Sequence, residues 1–173
     1  MESMKVRILL DVDGVLNAVP GRTKDWDDWK AGYANQFFIN WSETVARTVR
    51  RWADTPGVEV MWLTTWTHEA NRHICPLLDL PQFKVAGEMP PLQQFGWWKF
   101  EIARELWESD PVPFVWIDDD LGDLYDDGAA DWVRSLSPNA MGIRPDHRKG
   151  LTQRLLDEVD RFIEEKTCQV VTS

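Results

Sequence analysis

Residues 7–17 read RILLDVDGVLN, an apolar run that ends in two aspartates, Asp11 and Asp13, with Gly14 directly behind them. A short apolar run without polar alternation is the pattern of a strand buried on both faces of a parallel sheet. In open α/β sheets ligands bind beyond the carboxyl ends of the strands, which puts Asp11 and Asp13 where chemistry takes place. Gly14 lets the chain turn sharply, with positive φ if the turn demands it. Two carboxylates this close repel each other unless a cation sits between them. Mg²⁺ meets that demand, because it takes oxygen ligands and is commonly bound by one or two carboxylates together with phosphate.

Taken alone, the motif has competing readings. An Asp-Gly turn after a strand is common without any catalytic role. A calcium-binding EF-hand loop needs Gly at its sixth position and Glu at its twelfth; counted from Asp11, these hold Leu16 and Arg22. A nucleotide-sugar transferase also holds a metal with an Asp-x-Asp pair, and only the rest of the chain separates it from a phosphatase.

Composition narrows the field. A chain of 173 residues with 43% hydrophobic residues suits one globular domain spanning residues 1–173. The formal net charge of −10 argues against non-specific binding of long nucleic acid, which requires many phosphates to be neutralised. It leaves room for a local basic pocket that recognises one terminal phosphate. Cys75 and Cys168 form no metal or disulfide pattern, so free thiols in a reducing cytoplasm are expected. No apolar run approaches membrane-spanning length, and no apolar leader opens the chain. The expected location is therefore cytoplasmic, with no membrane partner; the oligomeric state is open. Tryptophan is abundant, at 11 residues, and serves both cores and base stacking. Trp41, Trp52, Trp62, Trp107 and Trp116 fall within apolar patterns and are expected in the core.

Outward from the first strand, residues 15–38 are polar, with Pro20, Gly21 and Gly32, and are expected to form an irregular flap over the strand end. Asn40 and Glu43 have the spacing of a helix N-cap and its partner, opening a helix to Ala53. Val58–Leu63 is the second strand, Thr67 is placed to cap a short helix to Ile74, and Phe83–Ala86 is a short third strand. Gly96–Trp107 is predicted helical, Val112–Ile117 a strand, Ala129–Leu136 a helix and Ala140–Ile143 a fifth strand. Thr152 caps a last helix carrying Leu155, Leu156, Val159 and Ile163, and residues 166–173 are expected to fray. Strands alternating with helices imply a three-layer α/β, Rossmann-like fold: a parallel sheet of about five strands with helices on both faces.

Further polar groups stand at strand ends. The second strand runs into Thr64-Thr65-Trp66, where a hydroxyl and helix-terminal amides are placed to donate to a phosphate; a simple turn cap is the alternative. Lys99 opens an otherwise apolar helix and is either a surface lysine or a neutraliser of a transferring phosphoryl group. The fourth strand ends VWI and meets Asp118, Asp119 and Asp120, a costly run beside a buried strand unless a cation is present.

Acids after strand one, a hydroxyl after strand two, a lysine before strand four and acids after it: this order resembles the haloacid dehalogenase (HAD) superfamily of phosphohydrolases, over LLDVDGVLN, WLTTW, Lys99 and VWIDDD. The strings WLTTWTHEAN, WIDDDL and RPDHRKGLT are moreover similar to HAD-type domains of predicted multi-domain RNA-repair proteins. The resemblance runs from about Lys5 to Ile163.

It implies Asp11 as a nucleophile that forms an aspartyl-phosphate and Asp13 as the general acid and base. It implies Mg²⁺ held by Asp11, the Asp13 carbonyl, Asp118 and Asp119, with Asp119 the preferred acid, Asp120 a neighbouring alternative and Asp123 supporting from outside. Thr64 and Lys99 would hold phosphoryl oxygens. The gaps that carry a cap domain in larger relatives are short here, so a capless, open site is expected. Such a site admits a nucleotide or a nucleic-acid end. Trp29 and Trp26 on the flap, Thr65 and Trp66, and Trp97-Trp98 are the candidate substrate contacts; core packing is the competing role for the tryptophans. Arg144, His147, Arg148 and Lys149 form a basic stretch facing either a nucleic-acid backbone or solvent. The expected function is Mg²⁺-dependent phosphomonoester hydrolysis. The alternatives are a phosphatase for small-molecule or protein phosphates, and a weakly active binding module.

Overall fold

The structure, a computed structural model, describes residues 5–19, 21–91 and 96–168. In chain order the elements are β1 (Val6–Leu10), β2 (Trp29–Ala34), β3 (Phe37–Ser42), α1 (Glu43–Asp54), β4 (Val58–Trp62), a π-helical turn (Ala70–Ile74), α2 (Cys75–Leu78) and β5 (Lys84–Val85). Then follow α3 (Trp98–Ser109), β6 (Phe114–Ile117), α4 (Ala129–Ser135), β7 (Ala140–Ile143) and α5 (Gln153–Cys168). The expected five-stranded parallel sheet is present, in the order β5-β4-β1-β6-β7.

β1 is central because its side chains are apolar on both faces. Val6, Ile8 and Leu10 join one core and Leu9 the other, as the two-residue period of a strand requires. The same alternation sends Val115 and Ile117 one way and Phe114 and Trp116 the other. Buried residues of α1, the π-helical turn, α2 and α5 pack in the first core, and those of α3 and α4 in the second. The chain winds from β1 out to β4 and β5 over one face, then returns over the other through α3 to β6. Its direction reverses between β1 and β6, so a crevice opens at their carboxyl ends.

The flap differs from the sequence expectation. Residues 29–42 form a regular antiparallel hairpin, with Trp29 opposite Ser42 and Ala34 opposite Phe37. Ala34, Ile39 and Trp41 face the core, while Tyr33, Phe37 and Phe38 are exposed. Its two-residue tip is Asn35-Gln36, with Asn35 at φ 54°, a region that asparagine tolerates. Asn40 lies in β3, where its amide bonds the carbonyl of Gly21 at 3.0 Å; Ser42 caps α1 instead, accepting from the Val45 amide. Thr67 turns at φ 48°, outside the extended backbone of a usual N-cap, and helical structure begins directly after it, at His68. Thr152 does cap α5, accepting from the Leu155 amide. That helix continues through Cys168 with Lys166 buried, past the expected onset of fraying; Pro20 of the flap and residues 169–173 lie outside the described residues.

Between β1 and β4 the described chain adds only the hairpin and α1, and no cap domain is evident. Among the described residues no helix is long and apolar enough to cross a membrane.

Asp28 ties the hairpin to α1. It accepts from the Ser42 hydroxyl at 2.7 Å, the Thr44 amide at 2.8 Å and the Thr44 hydroxyl at 2.6 Å. Partial burial works to raise its pKa, but these hydrogen bonds hold it below the ordinary 3.8. Ser42→Ala is expected to cost about 1 kcal/mol of stability in urea unfolding. Because the folded pKa of Asp28 is depressed, its contribution is fully present above the unfolded value and fades as pH falls through the folded one. The cost of Asp28→Asn should therefore be largest at neutral pH and shrink below pH 3.8.

Candidate active site at the carboxyl ends of β1 and β6

Asp11 follows β1 and Asp118 follows β6, so pairing of the two strands sets their carboxylates side by side. Lys99, in the first turn of α3, reaches into the gap. Its ammonium donates to Asp11 Oδ2 at 2.9 Å and Asp118 Oδ2 at 2.7 Å. All three residues are buried, at 3%, 5% and 0% exposure for Lys99, Asp11 and Asp118. The remaining Asp11 oxygen accepts from the Val12 amide at 2.7 Å, and the nearby Thr64 hydroxyl, which accepts from the Trp66 amide at 3.3 Å, favours the charged form of this carboxyl. Asp118 Oδ1 accepts from the Asp120 amide at 3.0 Å.

Asp119 completes the group. Oxygens of Asp11, Asp118 and Asp119 lie within 4.8 Å of one another. Gly14 makes this possible: it turns at φ 73°, and a Cβ there would lie 2.4 Å from the Asp119 carboxyl carbon. One lysine cannot neutralise three carboxylates. Burial, reinforced by Asp11, pushes the Asp118 carboxyl up to about 7 against the pull of Lys99. Burial, with Asp120 and Asp11, pushes Asp119 up to about 7 as well. Burial raises Asp11 despite its bonds to Lys99. Burial alone would lower the Lys99 pKa, but the two carboxylates overcome it and hold the ammonium charged. The surplus negative charge on hard oxygen atoms fits a divalent cation such as Mg²⁺.

Asp13 sits apart from this cluster, exposed at the mouth. Its carboxylate accepts from Asn17 Nδ2 at 2.9 Å and from the Trp66 indole at 2.9 Å. Thr64 is buried at the end of β4, while Thr65 is exposed and lines the cleft with Asp11, Asp13, Lys99, Asp119 and His147.

Lys99, expected at phosphoryl oxygens, lines the cleft with its ammonium ion-paired to Asp11 and Asp118. Other expectations need correction. Trp29 does not line this cleft. Its indole donates to the Thr23 carbonyl at 3.3 Å, and Arg22 lies over its ring. Trp26 bonds the Leu151 carbonyl, Trp98 is buried, and Trp97 stacks on Trp116 with centroids 5.0 Å apart. Asp123 caps its own turn through the Leu124 amide. Asp126, which the sequence reading passed over, orders the loop by accepting from the amides of Gly122, Gly128 and Ala130. Its signal was an Asp ahead of Gly128 and an apolar helical pattern. Arg144 bonds the carbonyls of Asp119 and Gly122 at 3.1 and 3.0 Å, clamping the acidic loop.

Two comparisons bear on this site. A family model described as the HAD domain in Swiss Army Knife RNA repair proteins matches residues 7–155. No curated protein matches the chain.

Lys99→Met leaves two buried carboxylates without their cation. It is expected to lower the unfolding free energy by about 3–5 kcal/mol in chelator-treated buffer. Millimolar Mg²⁺ should restore more stability to this variant than it adds to the wild type, as read from urea unfolding with and without the ion.

Proposed function

The chain belongs to the family of HAD domains found in Swiss Army Knife RNA repair proteins, and from that premise we propose that it is a Mg²⁺-dependent phosphomonoester hydrolase that acts through an aspartyl-phosphate on the terminal phosphate of a nucleotide or nucleic acid. The carrying observation is the division of labour between two aspartates. Asp11 is buried among cationic and hydrogen-bonding partners, while Asp13 stands at the mouth.

An oxygen of Asp11 attacks phosphorus, a P–O(Asp11) bond forms, and the ester P–O bond breaks. Asp13, as the carboxylic acid, gives its proton to the departing alkoxide. The Asp13 carboxylate then takes a proton from water, whose oxygen attacks the same phosphorus. The P–O(Asp11) bond breaks, and inorganic phosphate leaves with the Asp11 carboxylate restored. Lys99 lowers the repulsion between an anionic nucleophile and an anionic ester. Trp66 holds the Asp13 carboxylate in place through its indole N–H. Asp11, the Asp13 carbonyl, Asp118 and Asp119 would hold Mg²⁺, which when bound supplies positive charge to the transferring phosphoryl group.

The net charge of −10 favours a second reading, in which the substrate is a small-molecule or protein phosphate. A panel of 3′- and 5′-phosphorylated oligonucleotides, mononucleotides, sugar phosphates and phosphopeptides with Mg²⁺ separates the two.

Asp11→Asn is expected to reduce turnover of an aryl phosphate by about four orders of magnitude with the urea midpoint retained; near-normal activity would refute a covalent route. Asp119 is half-buried beside Asp11, whereas Asp120 is exposed. Asp119→Ala should therefore raise the Mg²⁺ concentration needed for half-maximal activity more than Asp120→Ala does.

A further inference from the structure

A cavity of about 510 Å³ opens beside the catalytic cleft, between the hairpin tip and the turn that follows β4. Asn35, Phe37 and Phe38 form one wall, and Trp66, Glu69 and His73 form the other. Its size suits a small organic ligand. Asp13 lines both this cavity and the catalytic cleft. We propose that this cavity binds the nucleobase of the leaving nucleoside, and that it takes one base only; the proposal rests on the hydrolase reading above.

The position argues first. Asp13 is the group assigned to protonate the leaving oxygen, so what lies on its far side is the leaving alcohol and not the phosphoryl group. The surface argues next. Phe37 and Phe38 are 52% and 57% exposed at the tip-proximal end of β3, Phe37 on the face that farther along buries Ile39 and Trp41, and Phe38 on the opposite face beside Tyr33. Phe37 meets the Trp66 ring edge-on, with centroids 5.4 Å apart and planes at 76°, which makes a fixed aromatic corner. A flat heterocycle covers such a corner by stacking. The lining is also polar: Glu69 Oε2 and His73 Nε2 are 3.0 Å apart, and Asn35 lines the same cavity. A nucleobase presents a hydrogen-bonding edge to such a lining, and a phenyl ring does not. The limit to one base follows from charge. The cavity walls carry the carboxylates of Asp13 and Glu69 and, among the described residues, no lysine or arginine; Arg72, outside the walls, is engaged in an ion pair with Glu69 at 3.0 Å. A strand running on through the cavity would find no unpaired lysine or arginine in its walls for its next phosphate. A mononucleotide and the last nucleotide of an RNA thus share the recognised chemistry.

The test compares wild type with the Phe37→Ala/Phe38→Ala double variant. Both residues are exposed, and matching urea midpoints show that the fold is kept. Substrates are a nucleoside monophosphate, ribose 5-phosphate, a phosphotyrosine peptide and a short oligonucleotide with the same terminal phosphate. The wild type should prefer the nucleoside monophosphate over ribose 5-phosphate, and the variant should lose roughly ten- to hundredfold of that kcat/KM ratio, through KM. The oligonucleotide should match the mononucleotide. A ratio near one in the wild type, or unmoved in the variant, overturns the base pocket while leaving the hydrolase intact. An equal loss for the phosphotyrosine peptide overturns the nucleoside assignment, and a tenfold advantage for the oligonucleotide overturns the single-base limit. Should no ester be hydrolysed, the hydrolase reading fails by itself. Calorimetric titration of the nucleoside monophosphate then decides the pocket: binding lost in the double variant supports it, and absence of binding to the wild type overturns it.

Discussion

The ammonium of Lys99 lies between two buried carboxylates, and the rest of the site is arranged around that fact. Asp11 and Asp118 come from adjacent strands, so the sheet itself forces them together. Buried like charges repel strongly in a low-dielectric interior. A cation must be built in with them, and it is delivered by the first turn of α3, the helix that returns the chain across the sheet. The reversal of winding between β1 and β6 therefore creates both the crevice and the charge problem. The same α3 that returns the chain to β6 carries the lysine that answers it.

Much of this was legible in the sequence because buried strands and charged strand ends leave one-dimensional traces. RILL and FVWI can hardly be anything but strands buried on both faces, and acids directly after them are expensive anywhere else. Asp11, Thr64, Lys99 and the Asp118–Asp119 pair are accordingly found together. The hairpin was not legible. In residues 29–42 the wet face carries Tyr33 and Phe38, and Phe37 is exposed at the end of the face that buries Ile39 and Trp41, so apolar residues fall on both parities and erase the alternation that marks a half-buried strand. The tip, Asn35-Gln36, lacks the glycine that usually announces a hairpin. Asn40 looked like a cap because caps and strand-edge asparagines bond the backbone in the same way; only Asp28, distant in sequence, shows which residue opens α1.

Side-chain partners were the other gap. Trp29 and Trp66 look alike in a sequence, but one bonds the Thr23 carbonyl and the other reaches the Asp13 carboxylate. Arg144 looked like a contact for a polyanion, yet its guanidinium is engaged by the carbonyls of Asp119 and Gly122. Together with Asp126, which gathers three amides, it gives the acidic loop a defined shape. Gly14 admits Asp119 from the opposite side. The bonds of Asp126 and Trp29 are local; those of Trp66 and Arg144 and the approach of Asp119 to Gly14 require segments far apart in the chain to meet.

The β2–β3 hairpin shares no backbone hydrogen-bond ladder with the five-stranded sheet. It is attached through its own buried face, through Asp28 and through Asn40, whose backbone amide donates to Asn17 Oδ1 while Asn17 Nδ2 donates to Asp13. The strands that carry Asp11 and Asp118 and the hairpin tip that meets the rest of the substrate are thus different parts of one polypeptide, joined at Asn40 rather than at the tip. Residues can be inserted or exchanged at Asn35-Gln36 without moving a strand that carries Asp11 or Asp118. Selection, or an engineer, can therefore retune what such a protein accepts while its reactive centre stays as it is.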